Sequence, residues 1–413
     1  VLVDETPDLA MNLRSFLRSF ILSVLGAGGA AELPGAAAEE ASALAREQFA
    51  FAREQYAHLL EASAVSTDRL PRSIDRGRFK LVEAEDWTSG FFPGALWLIY
   101  EHTGDPAMLA AAEDFTRRVE RIQFFDGHHD LGFMLGCSYG EGLRITGRPE
   151  YREVLVQGAR TLATRFKPEV GLIRSWDFGK WSFPVIVDNM MNLDLLWFAY
   201  GETGDTRLRD IALAHADKTL ANHFRPDGSS FHLVDYDPND GTVVGKQTVQ
   251  GAADDSAWAR GQAWGLSGFT TMARLTGRAD YLAKAVAIAD FIADHPRLPE
   301  DGIPYWDFDA PGIPNVPRDA SAGAIMACAF LELAELVDDT ASIERYLKVA
   351  DRQIRSLAGP DYRARLGENG GFLLMHSVGH IPEKHEIDVP LIYADYYFLK
   401  ALSMRAEPVV RRP

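Results

Sequence analysis

Apolar residues recur at three- and four-residue spacing in five stretches of the chain, 106–122, 150–165, 207–223, 279–293 and 342–357. That spacing lines one face of a helix and predicts five amphipathic helices. A further helix is predicted over 36–61, which is rich in Ala, Glu, Gln and Leu. Runs of a different kind alternate with these: apolar, rich in Gly, Ala and aromatic residues, and each opened by an acid. The openings are Asp86-Trp-Thr-Ser-Gly, Asp130-Leu-Gly-Phe-Met, Asp188-Asn-Met-Met-Asn, Asp255-Ser-Ala-Trp-Ala-Arg-Gly-Gln-Ala-Trp, Asp319-Ala-Ser-Ala-Gly-Ala and Asp388-Val-Pro-Leu-Ile-Tyr-Ala-Asp-Tyr-Tyr. Four of the runs end in Thr-Gly-Asp or Thr-Gly-Arg, at Thr103, Thr146, Thr203 and Thr276. A repeated helix pair at irregular spacing predicts a closed ring of hairpins, with six helix N-termini gathered at one mouth.

Longer polar segments separate the pairs. Residues 64–85 hold Pro71, Gly77 and an alternating stretch from Phe79, which predicts a loop or short strand. Segments 167–187, 225–251 and 298–318 are the others. The second contains Pro226-Asp-Gly, Ser229-Ser-Phe-His232 and Tyr236-Asp-Pro-Asn-Asp-Gly241, a series of β-turn signals that predicts hairpins inserted between helices. Ordered loops this long on one face of a rigid scaffold usually carry function.

The repeat runs from Glu85 to Leu402 with no linker-like break, so the 413 residues read as one large helical domain over 39–405, with a short tail at 406–413. Residues 1–38 differ in character. Met11-Asn-Leu-Arg-Ser-Phe-Leu-Arg, then Phe20-Ile-Leu-Ser-Val-Leu25, then Ala36-Ala-Ala38 follow the order of a secretory signal, and predict a periplasmic or secreted protein. A frayed amphipathic helix, with a cytoplasmic location, is the alternative. The apolar run is too short and Gly-rich to span a membrane. A net charge of −17 with no Lys/Arg-rich cluster argues against nucleic-acid binding. Cys137 and Cys328 are the only cysteines, too few for a disulfide framework.

An Asp at a helix start has a plain role: it accepts backbone N–H bonds, which lowers its pKa, the wrong direction for a general acid. Crowding at the mouth of a ring can reverse this. Two neighbouring carboxylates raise one another's proton affinity, and aromatic walls add desolvation. Asp130 and Asp188 have the suitable neighbours: His129 beside the first, and Trp176, Trp181 and Phe183 just before the second. Trp87, Trp258, Trp264 and Trp306 fall at openings or in the intervening loops. Aromatic faces among acids and amides suit a sugar, whose C–H faces stack while its hydroxyls take bidentate partners. Arg260 lies one turn before Trp264, where a guanidinium can hold substrate charge or pair internally with Asp254 or Asp255. No metal is expected: His128-His129-Asp130 and the His376/His380 pair lack the glutamate of a zinc-protease helix, and Gly379 and Pro382 argue against a helix there.

Taken in order, Asp86-Trp-Thr-Ser-Gly-Phe-Phe-Pro-Gly-Ala-Leu-Trp, His129-Asp-Leu-Gly-Phe-Met, Asp188-Asn-Met-Met-Asn-Leu and Ser256-Ala-Trp-Ala-Arg-Gly-Gln-Ala-Trp resemble the unsaturated glucuronyl hydrolases, glycoside hydrolase family eighty-eight. So do Leu374-Met-His-Ser-Val-Gly-His and Glu386-Ile-Asp-Val-Pro-Leu-Ile-Tyr-Ala-Asp-Tyr-Tyr, and the likeness covers about residues 45–403. The resemblance implies an all-α (α/α)6 barrel of six helix hairpins, with its active site at the N-terminal mouth of the inner helices. It implies a cofactor-free glycosidase that removes the 4,5-unsaturated uronic acid left by a polysaccharide lyase, by adding a proton to C4 and water to C5. Asp188 would be the general acid and then the base, and Asp130 its partner. His129, Trp87 and Trp176 match sugar-contacting positions; His232, Gln250, Arg260 and Trp264 match positions lining the pocket. Family members often have Thr-His-Gln-Gly where this chain has Thr248-Val-Gln-Gly251, which leaves the linked sugar and its sulfation open. The implied partner is an unsaturated uronate-terminated oligosaccharide derived from glycosaminoglycan, ulvan, gellan or xanthan. Neighbouring possibilities are an unsaturated rhamnogalacturonyl hydrolase and a non-catalytic sugar-binding barrel.

Overall fold

The structure, a computed structural model, describes residues 35–406. The leader-like segment and the tail therefore fall largely on residues outside those described. Helices α1 (Gly35–Ser63), α2 (Phe91–Thr103), α3 (Pro106–Arg118), α4 (Glu141–Thr146), α5 (Pro149–Ala163) and α6 (Leu193–Thr203) make the first half of the ring. Helices α7 (Thr206–Asn222), α8 (Ala259–Thr276), α9 (Ala279–Ala293), α10 (Ala320–Leu336), α11 (Thr340–Ala358) and α12 (Ile392–Ala406) make the second. Two of the inner helices have irregular first turns. A π-helical stretch, Gly132–Gly140, runs into α4, and a 3-10 stretch, Val187–Asn192, runs into α6.

The even-numbered helices form the inner wall. Each packs on the next, and α12 returns to α2, so the ring closes; each odd-numbered helix backs an inner one. The fold is an (α/α)6 barrel. Composition explains the division of labour. Inner α10 is buried along almost its whole length, whereas outer α11 buries only the face carrying Ile343, Tyr346, Leu347, Ala350, Ile354 and Leu357. Chain order makes the sixth hairpin unusual, because α12 is backed by α1 from the opposite end of the sequence.

The Thr-Gly turns lie between inner and outer helices, at the end away from the mouth. Gly104, Gly147, Gly204 and Gly277 sit at φ of 66°, 69°, 70° and 68°, the left-handed conformation that stops a helix cheaply only at glycine. Each preceding Thr hydroxyl donates back four residues, as Thr103 Oγ1 does to the Ile99 carbonyl at 2.7 Å, and then accepts the amide beyond the glycine. Asp105 and Asp205 go on to cap α3 and α7.

The polar segments gather at the other end as small antiparallel sheets. They are β1 (Leu70–Asp75) with β2 (Arg78–Val82), β3 (Phe166–Lys167) with β4 (Leu172–Ile173), and β8 (Ser377–His380) with β9 (His385–Val389). A three-stranded sheet joins β5 (Pro184–Ile186), β6 (Leu233–Tyr236) and β7 (Val243–Gln247), with β6 in the middle. Three of the six acidic openings are not helix starts, the first being Asp86, which lies in a turn ahead of Gly90, the N-cap of α2. Asp388 lies on β9 at φ 55°, with its carboxylate 2.6 Å from His376 Nδ1, and α12 begins only after Pro390. Asp255 lies ahead of Trp258, which is the N-cap of α8. Among the described residues no helix is long and apolar enough to cross a membrane.

Candidate active site

Asp130 stands where the segment 120–130 turns into the π-helical stretch, its carbonyl accepting the Met134 amide at 3.0 Å. The approach is pinned on both sides: the His129 amide donates to the Ser175 carbonyl at 3.0 Å, and His128 Nε2 lies 2.8 Å from the Glu85 carbonyl. Both imidazoles face the carboxylate, His128 Nδ1 at 3.1 Å and His129 Nε2 at 3.4 Å. Burial alone would raise the Asp130 pKa, but the adjacent imidazoles outweigh it and hold it below the ordinary carboxylate value. The same burial drives His129 down to about 4, so its ring is neutral at physiological pH.

Asp188 enters from β5 through the 3-10 turn, with the Val187 amide bonded to the His232 carbonyl at 2.9 Å. Its carboxyl group is buried and Oδ2 has no hydrogen-bond partner. The nearest basic group is His232 Nε2, at 3.7 Å. That ring accepts the Gln250 amide on Nδ1 at 3.4 Å, which leaves the proton of the neutral imidazole on Nε2, facing Asp188. Burial keeps His232 well below its usual value, so the contact is no ion pair. Burial pushes Asp188 up to about 7, the Arg260 guanidinium opposes the rise, and the charge on Asp130 adds to it. The two aspartates thus lie close enough to interact and have been driven apart in proton affinity.

Asn192 sets their separation. Its Oδ1 accepts the Gly132 amide at 2.8 Å and the Phe133 amide at 3.3 Å, tying the turn that carries Asp188 to the helix that follows Asp130. A Cβ on Gly132 would lie 2.6 Å from the Asn192 Cα, so only glycine allows this approach.

The structure gathers the remaining nominated residues around the pair. Trp87 is half-buried, with its ring 4.8 Å from Tyr393 and 5.6 Å from Phe133. Trp264 is fully buried, 4.9 Å from the Phe133 ring, and its Nε1 has no partner. Trp176 pairs through its backbone with His128, and its Nε1 is also without a partner. His232 packs edge-on to Trp258 at 4.8 Å. Gln250 takes part through its backbone amide.

Arg260 has a different partner from those its neighbours in sequence suggest. Its Nη1 lies 3.1 Å from Asp319 Oδ2 and also donates to the Val378 carbonyl, while Nη2 donates to the Gly379 carbonyl at 2.7 Å. Asp254 and Asp255 are not involved. The guanidinium lies 4.5 Å from the Trp258 ring centroid and 5.4 Å from Tyr393. Four contributors escaped the sequence reading: His128 as a partner of Asp130, Asn192, Asp319 as the partner of Arg260, and Tyr393. Asn192 and Asp319 fall inside quoted motifs, but nothing in the spacing shows that they reach across 60 and 59 residues. Among the described residues no group of three or more His, Cys, Asp or Glu is arranged to hold a metal ion.

A buried carboxylic acid poised near neutrality, beside an ionised carboxylate and half-covered aromatic faces, can deliver a proton to a bound sugar derivative and take one back from water. Comparison with known proteins points the same way. The chain is 44% identical over 352 residues to an unsaturated glucuronyl hydrolase of Formosa agariphila, covering 84% of this chain and 87% of that one. It is 34% identical over 331 residues to an unsaturated chondroitin disaccharide hydrolase of Streptococcus pyogenes, covering 79% and 82%. Among solved structures, an unsaturated glucuronyl hydrolase specific for heparin superposes with a TM-score of 0.84 at 45% identity, covering 88% of this chain and 97% of that one. No family model matches the chain.

Proposed function

The chain belongs to the unsaturated glucuronyl hydrolases, glycosidases that act on unsaturated oligosaccharides, and from that premise we propose how its own residues perform the reaction. Protonated Asp188 transfers its proton to C4 of the 4,5-unsaturated uronic acid. The C4–C5 double bond is consumed and positive charge develops at C5 and the ring oxygen. Water then adds at C5 and gives up a proton to the Asp188 carboxylate, restoring the acid. The resulting hemiketal opens, and the linked sugar leaves as an alcohol. One water is consumed and no covalent enzyme intermediate is needed.

Asp130, ionised, accepts ring hydroxyls and keeps the Asp188 proton from being lost early. His129 and His232, both neutral, offer hydrogen bonds without adding charge. Trp87 and Trp176 supply stacking faces, Trp264 the indole N–H of the floor, and Gln250 a contact beside His232. Arg260 is fully engaged with Asp319 and two carbonyls, so its part is a fixed positive field across the site. The observation that carries this reading is the buried Asp188 carboxyl, its Oδ2 without a hydrogen-bond partner and its pKa pushed up to about 7 beside Asp130.

The test is the near-ultraviolet absorbance of the conjugated double bond in lyase-made disaccharides. It should decay on addition of the wild-type enzyme, and Asp188→Asn should abolish the decay while circular dichroism stays unchanged. A fully active Asp188→Asn enzyme would overturn the mechanism. The substrate class we favour is glycosaminoglycan-derived, because the relatives described above are named for heparin and chondroitin fragments. A panel of defined disaccharides differing in sulfate position and linked sugar, with ulvan and gellan or xanthan fragments beside them, decides it. Export is supported by the ordered charged, apolar and small-residue regions over 11–38, and cell fractionation tests it.

A further inference from the structure

The loop between β4 and β5 extends the aromatic surface outward from Trp176 to a residue that the disaccharide reaction does not use. Phe178 is 69% exposed. A lone exposed apolar side chain is ordinary on a protein surface and asks for no explanation. This one is not alone. Its ring stacks on Trp176 at 5.5 Å between centroids and 17° between planes, and Trp176 meets Trp181 edge-on at 5.7 Å.

The shelf is also held still. Trp181 Nε1 donates to Gln247 Oε1 on β7 at 2.8 Å. Asp177, between the two stacked residues, lies 2.9 Å from Arg165 Nη1 and 3.2 Å from Arg174 Nη1. Trp176 is paired to His128, the residue beside the Asp130 carboxylate. Gly179 turns the chain at φ 86°, with its Cα packed against the Trp181 ring. Three aromatic side chains therefore lead outward from the neighbourhood of Asp130 to open solvent, on a backbone fixed at both ends.

We propose that Phe178 is an outer sugar subsite, which stacks a sugar unit beyond the disaccharide when the substrate is an unsaturated oligosaccharide of three or more units. An apolar face that is parallel to Trp176, immobile and open to water on its outer side is what the C–H face of a pyranose ring pairs with. Fixing the loop beforehand removes the ordering cost that a mobile loop would charge against binding. This inference rests on the hydrolase reading above.

The experiment compares unsaturated disaccharide and tetrasaccharide cut by a lyase from one polymer, taking the polymer whose disaccharide is turned over in the panel. The readout is the ratio of their kcat/KM values, so that any disturbance passed through Trp176 to both substrates cancels. Wild-type enzyme should favour the tetrasaccharide by roughly three- to tenfold, the equivalent of one aromatic contact. Phe178→Ala should bring the ratio to about one, and Phe178→Tyr, which keeps a ring in place, should retain the preference. A wild-type ratio at or below one, or a ratio that Phe178→Ala leaves unchanged, overturns the proposal. If no unsaturated substrate of any length is consumed, it is the hydrolase reading that has failed.

Discussion

Asp188 binds its proton more tightly in the folded chain than an exposed aspartate does, and this has two consequences that can be measured separately. The first concerns rate. Because the protonated form is the acid, kcat/KM should fall as pH rises through about 7. Asp130, held below the ordinary carboxylate value, stays ionised down to pH values where Asp188 is fully protonated. The second concerns stability, and its sign follows from linkage. With the folded pKa near 7 and the unfolded value near 3.8, the folded state holds the extra proton between those limits. The contribution is fully present below the lower value and is lost as pH rises through the upper one. Asp188→Asn should therefore be more stable relative to wild type at pH 8 than at pH 4, by on the order of 2–4 kcal/mol. Denaturant unfolding of both proteins at the two pH values checks this, and a pH-independent difference would mean that the carboxyl is not buried as described. Asp395, also buried and pushed up to about 7, is present in both proteins and cancels from the comparison.

Among the elements, the two irregular helix starts matter most, because they carry the two aspartates and are joined by one side chain. Asn192→Ala leaves the Gly132 and Phe133 amides without their acceptor. That should cost roughly 1–3 kcal/mol for each amide left unsatisfied. It should also slacken the spacing of the pair. As Asp130 moves away, its raising effect on Asp188 weakens, so the alkaline limb of the pH–rate profile should shift to lower pH and kcat should fall at least tenfold. A merely structural Asn192 would lower the melting temperature and leave the profile of the folded enzyme where it was. The same elements show what the sequence reveals and what it conceals. Outer helices were legible because a half-buried helix must alternate its faces, and the stretch predicted over 279–293 coincides with Ala279–Ala293. The Thr-Gly stops were legible because a left-handed turn all but requires glycine. Asp388 misled because an acid before an apolar run also fits a strand, once β8 is there to pair with β9. Arg260 misled for a similar reason. Its nearest acids in sequence lie on the preceding loop, whereas Asp319 reaches it only because α8 and α10 are neighbours in the closed ring. The pairing of Asp130 with Asp188 was expected through family resemblance and crowding, but the tether through Asn192 depends on a backbone approach that no spacing encodes.

At the scale of the whole molecule, closure of the ring falls to the two ends of the described chain. Five hairpins are local, each joined by a short turn, and can form early because their contacts are near in sequence. The sixth has no turn. Helix α1 must find α12 and the segment before it across more than 300 residues, and polar side chains secure the seam. Gln55 Nε2 donates to the Glu368 and Phe372 carbonyls at 2.9 and 3.0 Å, and its Oε1 accepts the Gly367 amide at 2.9 Å. Tyr56, fully buried, lies with its hydroxyl 3.2 Å from Asp395 Oδ2, while Asp395 accepts the Leu373 and Leu374 amides at 2.8 and 2.9 Å. Gly371, at φ 91°, packs so closely on α1 that a Cβ would lie 2.4 Å from the Leu59 amide nitrogen. Gln55→Ala removes three bonds at once, one of them to the buried Phe372 and two to Gly367 and Glu368 at the surface, so it should destabilise the protein by roughly 2–3 kcal/mol, whereas Tyr56→Phe removes one bond and should cost about 1 kcal/mol. Thermal unfolding gives the order of the two effects. Limited proteolysis supplies the stronger test: if α1 closes the ring, cleavage in Gln55→Ala should begin within 359–374, the segment that Gln55 holds, before any inner helix is cut. Equal stability of the two variants, or first cleavage elsewhere, would place closure of the barrel in the apolar packing of α12 on α2 instead of in this polar seam.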